Sequence, residues 1–297
     1  MAVYSISDLE KLCGIKAHTI RIWEQRYGIV KPKRTKTNIR FYQDKDLRRL
    51  LNIALLNRNG FKISKIACMS KEEIQEKVLS ISSVSFEHDI QLDSLTIAMI
   101  EMDETKLDKV IRTNIEKIGF ERTMLELIYP FLEKLSVLWL TGSINPVQEG
   151  FMTYLLRQKL IAAIDRVPFP TIATTKKFML FLPTGETQEL SLLFLNYLLR
   201  SRGYQVIYLG QNITLDDLKD AFCVQKPAFL YTMISETYSN QSVDAYVSNL
   251  GKTFPQARVL VSGYQVVAQG VRKRENIIPL ESLDQTLNFL NSLRVES

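Results

Sequence analysis

The stretch AHTIRIWEQRYGIVKPKRTKTNIRFY (residues 17–42) decides how the N-terminal part of the chain folds. Ile20, Trp23 and Tyr27 are spaced i, i+3 and i+7, which predicts an α-helix with one apolar stripe. A basic segment follows the helix and is typical of a short β-hairpin whose tip is residues 35–38. The sequence therefore predicts a basic helix followed by a basic hairpin.

A basic helix beside a basic hairpin suits double-stranded DNA, because a helix fits the major groove while a hairpin follows the phosphates. The alternative is a solvated cationic surface without a partner, but the density of the charges and the interleaved aromatic residues favour DNA. We expect the helix residues to face base edges or nearby phosphates and the hairpin residues to contact the DNA backbone. The candidate DNA-binding residues are His18, Arg21, Gln25, Arg26, Lys33, Arg34, Lys36, Arg40 and Tyr42.

The positive charge of the chain is concentrated at its N-terminal end. Residues 1–62 contain 14 lysines and arginines against 5 acidic residues, whereas the whole chain of 297 residues has a formal net charge of +6. The rest of the chain is therefore net negative, and the positive field coincides with the segment that is predicted to bind DNA.

The rest of the composition indicates a globular, cytoplasmic protein without catalytic activity. An apolar content of 46% is enough for two or three domains with their own cores. We expect neither a membrane span nor a signal peptide, because no run of 18 apolar residues and no charged leader followed by an apolar region occurs. Cys13, Cys68 and Cys223 lie far apart and predict reduced thiols. His18 and His88 are the only histidines, so we expect neither a histidine-based metal site nor an enzyme.

The helix and strand patterns divide the chain into three predicted domains. Residues 1–79 form the DNA-binding domain, whose first helix is predicted to have Ser7 as its N-cap. A serine-rich break at residues 80–85 precedes residues 86–166, where helices with short connections predict a four-helix bundle. In residues 171–297 short apolar strands alternate with helices, which predicts a doubly wound parallel sheet with a ligand site at the carboxyl ends of its strands.

The N-terminal segment also resembles a known family. YSISDLEKLCGIKAHTIRIWEQRYGI (residues 4–29), followed by KPKRTKTNIRFYQDKDLRRLLNIALL (residues 31–56), is similar to the DNA-binding domain of the MerR family of bacterial transcription regulators. The resemblance implies a winged helix-turn-helix that binds a palindromic operator as a dimer.

The C-terminal half resembles the cobalamin-binding, light-sensing repressors of that family. LPTGETQELSLLFLNYLLRSRGYQVIYLGQNI (residues 182–213) is similar to the first βαβ unit of a cobalamin domain. In that family the first loop carries an acid, one residue, a cobalt-ligating histidine, two residues and a glycine. Glu186, Gln188 and Ser191 stand at these positions, so the acid is kept and the other two residues are not.

The predicted bundle carries the second part of this resemblance. The family pattern places a tryptophan, nine residues, a glutamate and a histidine over the upper face of the corrin, and here Trp139 and Glu149 match while Gly150 replaces the histidine. Trp139 could equally be a core indole, and Glu149 a solvated helix residue. At the third loop Ser262 precedes Gly263, where the family tends to have paired glycines. The candidate ligand-binding residues are Trp139, Glu149, Glu186, Gln188, Ser191, Ser235 and Gly263.

The predicted fold is multidomain α and α/β, with an N-terminal winged helix-turn-helix, a four-helix bundle and a C-terminal doubly wound parallel sheet that is cobalamin-binding-like. The favoured function is a sequence-specific DNA-binding regulator, with repression as the expected direction, that has lost cobalamin and needs no cofactor. The alternative is a cobalamin-dependent light-sensing repressor that tolerates Gln188. A corrinoid carrier subunit of a methyltransferase would need the missing histidine and has no use for residues 17–42. We expect double-stranded DNA and further copies of the chain, as a homodimer or tetramer, as partners, and an unknown small molecule or protein partner stays open.

Overall fold

The structure is a computed structural model, and the chain divides into two compact units, Met1–Leu155 and Leu156–Ser297. The boundary falls inside the last helix of the predicted bundle, so the predicted division into three domains stays a prediction. Among the described residues, no helix is both long and apolar enough to cross a membrane. The structure describes residues 3–34, 40–84, 88–140, 144–169, 176–235 and 242–295.

The N-terminal unit begins with a helix-turn-helix and a small antiparallel sheet. The helices are α1 (Ile6–Cys13), α2 (Ala17–Tyr27) and α3 (Asp44–Arg58), and the strands are β1 (Val3–Tyr4), β2 (Lys33–Arg34) and β3 (Arg40–Gln43). The strand order is β1-β3-β2, and β2 pairs with β3 as the predicted hairpin. The tip of the hairpin, residues 35–39, lies outside the described residues.

The N-cap of helix α1 lies two residues before the predicted one. Ser5, and not Ser7, is its N-cap: the Ser5 hydroxyl accepts a hydrogen bond from Asp8 N at 3.2 Å, and the Asp8 carboxylate accepts one from Ser5 N at 2.8 Å. The prediction of Ser7 is wrong because a cap must precede the first helical residue in order to reach the free amides of the first turn, and Ser7 already lies within that turn.

The remaining elements of this unit are helical. They are α4 (Ile63–Ile66), α5 (Lys71–Val84), α6 (His88–Glu101), α7 (Glu104–Ile118), α8 (Phe120–Thr123), a π-helical turn (Met124–Ile128), α9 (Tyr129–Leu140) and the first half of α10 (Pro146–Asp165), up to Leu155. Helix α5 continues through residues 80–84, so the predicted serine-rich break is wrong over those residues. Serine lowers helix stability by only about 0.5 kcal/mol relative to alanine. The capping box of Ser70 and Glu73 fixes the start of the helix.

One ion network connects the DNA-binding helices to the helices that follow them. Arg58, at the end of α3, forms an ion pair with Asp93 of α6 and donates a second hydrogen bond to the carbonyl of Cys13 at the end of α1. Lys134 of α9 donates to the other Asp93 oxygen at 2.9 Å. Asp93 is only 5% exposed, so two cations satisfy a buried carboxylate. Gly14 has φ +67°, and a Cβ there would overlap the Arg58 guanidinium, so this turn requires glycine.

The C-terminal unit contains a parallel sheet flanked by helices, as predicted. Its strands are β4 (Lys177–Pro183), β5 (Gln205–Ile213), β6 (Phe229–Met233), β7 (Arg258–Ser262) and β8 (Ile277–Leu280), and its helices are α11 (Glu189–Ser201), α12 (Leu215–Gln225), α13 (Val243–Thr253), α14 (Tyr264–Ala268) and α15 (Leu283–Val295). The strand order is β5-β4-β6-β7-β8. The strand order reverses at β4, so a crevice is expected where the loops after β4 and β6 diverge.

The core of this unit lies between the sheet and the helices. The residues of β4 after Lys177 are buried, and the Phe178 ring stacks on Phe229 of the neighbouring strand at 4.5 Å between centroids. Such a continuous apolar run is typical of a strand that is covered on both faces. The buried sheet therefore provides a rigid support for the loops at its carboxyl edge.

We predict that Asp93→Asn lowers the free energy of unfolding by about 1–3 kcal/mol, because it removes a buried charge that two cations share. Glu126→Gln is the matched control, since its carboxylate pairs with Arg122 at 2.8 Å on the exposed surface. The control should change the free energy by no more than about 0.5 kcal/mol. Urea denaturation followed by circular dichroism measures both variants, and equal stabilities would contradict this role of Asp93.

Candidate nucleic-acid interface and ligand loops

Helix α2 presents the predicted residues to solvent. Ile20 and Trp23 are buried, which fixes the rotation of the helix against the unit. The outward face carries four of the candidate DNA-binding residues, all exposed: His18, Arg21, Gln25 and Arg26. Ile22 is 45% exposed on the same helix and was missed by the sequence analysis. It lies outside the apolar stripe, which was the available signal, and an apolar side chain there suits the methyl group of a thymine.

The start of α2 is capped from the neighbouring helix. Lys16 is the N-cap, and among the described residues its side chain makes no capping hydrogen bond. Instead, the Glu10 carboxylate of α1 accepts a hydrogen bond from Ala17 N at 3.1 Å and lies 3.2 Å from Lys16 Nζ. The Ala17 N–H, followed by Lys16, holds the pKa of Glu10 below its usual value. Glu10 therefore connects the start of α2 to α1.

The hairpin places its described cations beside α2. Lys33 pairs with Phe41 and Arg34 with Arg40 across the two strands, and both β2 residues are exposed. Arg40 is partly buried, and its Nε lies 3.5 Å from Glu24 Oε1 of α2. The predicted contact Lys36 lies outside the described residues.

Tyr42 is not a DNA-contacting residue, and its prediction is corrected. Its side chain is 0% exposed, because it occupies the inward position of β3. The Tyr42 hydroxyl donates a hydrogen bond to Glu24 Oε2 at 3.3 Å. Burial, together with the nearby Glu24 carboxylate, raises the pKa of Tyr42 to about 12. Tyr42 therefore positions the hairpin and cannot reach a ligand in solvent.

Glu24 joins α2 to the hairpin and is the second residue that sequence reasoning missed. Its two carboxylate oxygens face Arg40 and the Tyr42 hydroxyl, so its charge is neutralised inside the domain. Glu24 is the only acidic residue within the basic stretch 17–42, and that isolation was the available signal. The described outward surface of α2 and β2 consequently stays cationic.

In the C-terminal unit, Glu186 ties two loops of the carboxyl edge together. It is only 3% exposed, and its Oε2 accepts a hydrogen bond from Ser235 N at 2.6 Å. Its Oε1 accepts from Thr187 N at 3.0 Å and from Gln188 N at 3.3 Å. The structure thus brings Glu186, Gln188 and Ser235 together. Both oxygens of the Glu186 carboxylate already accept hydrogen bonds from backbone amides.

The loop after β7 is closed by backbone packing. Gly263 has φ +107°, and a Cβ at this position would lie 2.7 Å from the backbone nitrogen and carbon of Ile234. Ile234 N donates to Ser262 O at 2.7 Å, and Gln265 N donates to Ile234 O at 3.0 Å. The hydroxyls of Ser262 and Tyr231 share a buried hydrogen bond of 2.6 Å. Gly263 is therefore required for this close packing, whether or not a ligand approaches.

The residues at this edge do not fit the cobalt ligation that the resemblance implies. Gln188 is exposed at the start of α11, and Ser191 is partly exposed one turn later. Neither side chain carries an imidazole, the usual nitrogen ligand of such a metal. Among the described residues, no group of three or more histidine, cysteine or acidic side chains could hold a metal ion. Trp139 and Glu149 belong to the N-terminal unit, Glu149 is partly exposed, and the side chain of Trp139 lies outside the described part. That these two share a site with Glu186 stays a prediction.

Comparison with known proteins assigns both parts of the N-terminal unit. Residues 4–73 match the model of the MerR HTH family regulatory protein, and residues 91–163 match the B12 binding domain. The chain joins a MerR-type DNA-binding domain to a B12-binding helical domain. The predicted recognition and fold class are thereby confirmed.

Curated relatives share this arrangement or its first part. The chain is 23% identical to the HTH-type transcriptional repressor CarH of Myxococcus xanthus over 259 residues, which cover 85% of this chain and 86% of CarH. It is 25% identical to the repressor CarA of the same organism, with 74% of this chain and 72% of CarA covered. The regulator MlrA of Escherichia coli is 37% identical over 73 residues, 25% of this chain and 30% of MlrA. The chain is homologous to these transcription regulators.

We predict that Lys33→Ala weakens binding to all duplexes alike and lowers the salt dependence of the affinity by about one charge, because an exposed hairpin cation contacts phosphate. Tyr42→Phe should leave the salt dependence unchanged, since Tyr42 is buried. Lys109→Ala, on the exposed side of α7, is the matched control. Fluorescence anisotropy of a labelled operator at several salt concentrations measures all three. An unchanged slope for Lys33→Ala would contradict the hairpin assignment.

Proposed function

We propose that this chain is a transcription repressor that binds a palindromic operator in the cytoplasm as a dimer or tetramer, and that its C-terminal unit works without cobalamin. Operator binding is supported above all by the cationic outward face of α2, which lies beside the exposed basic strand β2. The direction of regulation rests on CarH and CarA, whose names describe repressors and which align over most of this chain.

The DNA-binding mechanism follows from how the domain holds its surface. Glu10 caps α2, and Glu24 fixes the hairpin against the same helix, so two structural carboxylates set the geometry of the cations. In this mechanism α2 enters the major groove with Arg21 and Gln25 toward base edges, while Lys33 and Arg34 hold the phosphates. A palindromic operator repeats the half-site about one helical turn away, which requires a second copy of the domain.

The loss of cobalamin is supported by the first loop and by its contact with the loop after β6. Glu186 stands where the resemblance places an acid two residues before the cobalt-ligating histidine. Its carboxylate accepts hydrogen bonds from the backbone amides of Thr187, Gln188 and Ser235. The residue at the histidine position is Gln188, whose amide is a far weaker cobalt ligand than imidazole. The described residues thus hold the loops in place through the protein's own hydrogen bonds.

The alternative is a cobalamin-dependent light-sensing repressor. It is favoured by the B12 binding domain match over residues 91–163 and by the retained spacing of Trp139 and Glu149. In addition, a Cβ at Gly150 would meet no described atom within 4 Å, so that position is open. In this alternative, the residues that the resemblance names would hold a corrinoid whose cobalt takes a ligand other than histidine.

We predict that purified protein mixed with hydroxocobalamin or adenosylcobalamin in the dark elutes as a dimer or larger without a red chromophore. Size-exclusion chromatography with light scattering and visible absorbance records mass and cobalamin on the same peak. One cobalamin retained per chain would establish the alternative. A monomer, both alone and on operator DNA, would contradict the proposed assembly.

The combined variant Gln188→His, Ser191→Gly and Gly150→His should regain weak cobalamin binding, because it restores both imidazoles and the close approach at the first loop. The single variant Gln188→Ala is the control, since it removes the amide without adding a ligand. If the combined variant folds and retains no cobalamin, residues other than these three close the site.

A further inference from the structure

The MerR-type domain contains a cavity on a side that the DNA-binding residues do not line. Its volume is about 550 Å³, which is within the range of small-molecule sites. The loop after α2, the exposed side of α3, the start of α5 and the end of α6 surround it. The predicted DNA-contacting residues are absent from its described lining.

The rim of this cavity is cationic. Within the described part of the chain, its lysines and arginines make no ion pair: Lys31, Lys45, Arg48, Arg49 and Lys71. The two acidic residues of the lining already have partners within the protein. Asp46 is buried and accepts a hydrogen bond from Gln43 N at 2.9 Å, and Glu101 pairs with Lys106 at 3.2 Å. The uncompensated charge of the rim is therefore positive and fits an anion that carries several charges.

The floor of the cavity is apolar with one polar group. Ile29, Val30 and Ile74 are buried, and they line the cavity together with Asn52. Asn52 is 6% exposed, and its Oδ1 is buried without a hydrogen-bond partner among the described residues. A buried amide oxygen of this kind is normally satisfied, so its lack of a partner beside a cavity points to a ligand group that donates there. If the amide of Asn52 is rotated, Nδ2 faces the cavity and donates a hydrogen bond to the ligand. The site therefore also fits a ligand whose edge carries a donor and an acceptor side by side.

We propose that this cavity binds a nucleotide with two or more phosphates. The base lies on the apolar floor with its hydrogen-bonding edge toward Asn52, and the phosphates lie against Arg48 and Arg49. An inorganic phosphate alone would leave the floor and Asn52 unused, and a duplex backbone would leave the same groups unused. A nucleotide uses the charge, the apolar surface and the amide together.

The position of the cavity gives the nucleotide a route to the DNA-binding surface. Gly28 ends α2, and the residues that follow it form one wall, while Glu101 at the end of α6 forms another. A bound nucleotide therefore contacts both the end of α2, the proposed recognition helix, and the B12-binding helical domain. This proposal does not depend on whether the C-terminal unit takes cobalamin.

Isothermal titration calorimetry of the full chain with GTP, ATP, guanosine and inorganic tripolyphosphate tests the proposal. At least one of the nucleotides should bind, and guanosine and tripolyphosphate should each bind at least ten-fold more weakly. The double variant Arg48→Ala and Arg49→Ala should weaken nucleotide binding at least ten-fold, while the matched double variant Arg112→Ala and Arg122→Ala on the bundle should not. Asn52→Ala should reduce the preference for nucleotide over tripolyphosphate.

Three results would overturn the proposal. The first is that neither nucleotide binds at millimolar concentration. The second is that tripolyphosphate binds as tightly as the nucleotides, which would reveal an anion-binding surface only. The third is that an unlabelled duplex displaces the nucleotide from the wild-type protein and also binds more weakly to the Arg48→Ala and Arg49→Ala double variant. In that case the natural occupant of the rim would be DNA phosphate. Because Arg48 and Arg49 are exposed, their variant should fold even if Asn52→Ala does not.

Discussion

A buried carboxylate between two cations holds the N-terminal unit together. Asp93 accepts from Arg58, which comes from the DNA-binding helices, and from Lys134, which comes from the B12-binding helical domain. Arg58 also satisfies the carbonyl of Cys13 at the end of α1, and the turn at Gly14 leaves room for it. Removing Arg58 or Lys134 leaves an oxygen of the buried Asp93 carboxylate without its cation, which lowers the stability of the fold. The network thus joins the region that matches the MerR model to the start of the region that matches the B12 binding domain.

Acidic residues have structural roles throughout the described chain, including one that the sequence suggested for a cofactor. Glu10 caps the recognition helix and Glu24 fastens the hairpin to it. Glu186 does the same for two loops of the parallel sheet by accepting from Ser235 and from its own loop. A carboxylate that is used in this way needs no ligand to be satisfied. The acid of this loop therefore has a role in the fold that does not require a cofactor.

Local patterns predicted most of the secondary structure, because period 3.6 and short apolar runs are encoded in neighbouring residues. The parallel strands and the hairpin were found where the sequence predicted them. The error at Tyr42 concerns a partner that is distant in sequence. Tyr42 was predicted to face DNA because it follows basic residues, but Glu24, 18 residues earlier, draws it inward. The break at residues 80–85 was inferred from composition, whereas α5 continues through residue 84. The pairing of Arg58 with Asp93 across 35 residues left no periodic signal.

The central claim is that operator binding by this regulator does not depend on cobalamin or light. The most direct test is the operator affinity of the full-length protein, measured on a duplex obtained by selection from random sequences. The affinity should be compared for protein alone, protein with adenosylcobalamin in the dark, and the same sample after illumination. The account predicts one affinity under all three conditions. A higher affinity with adenosylcobalamin that is lost on illumination would contradict it.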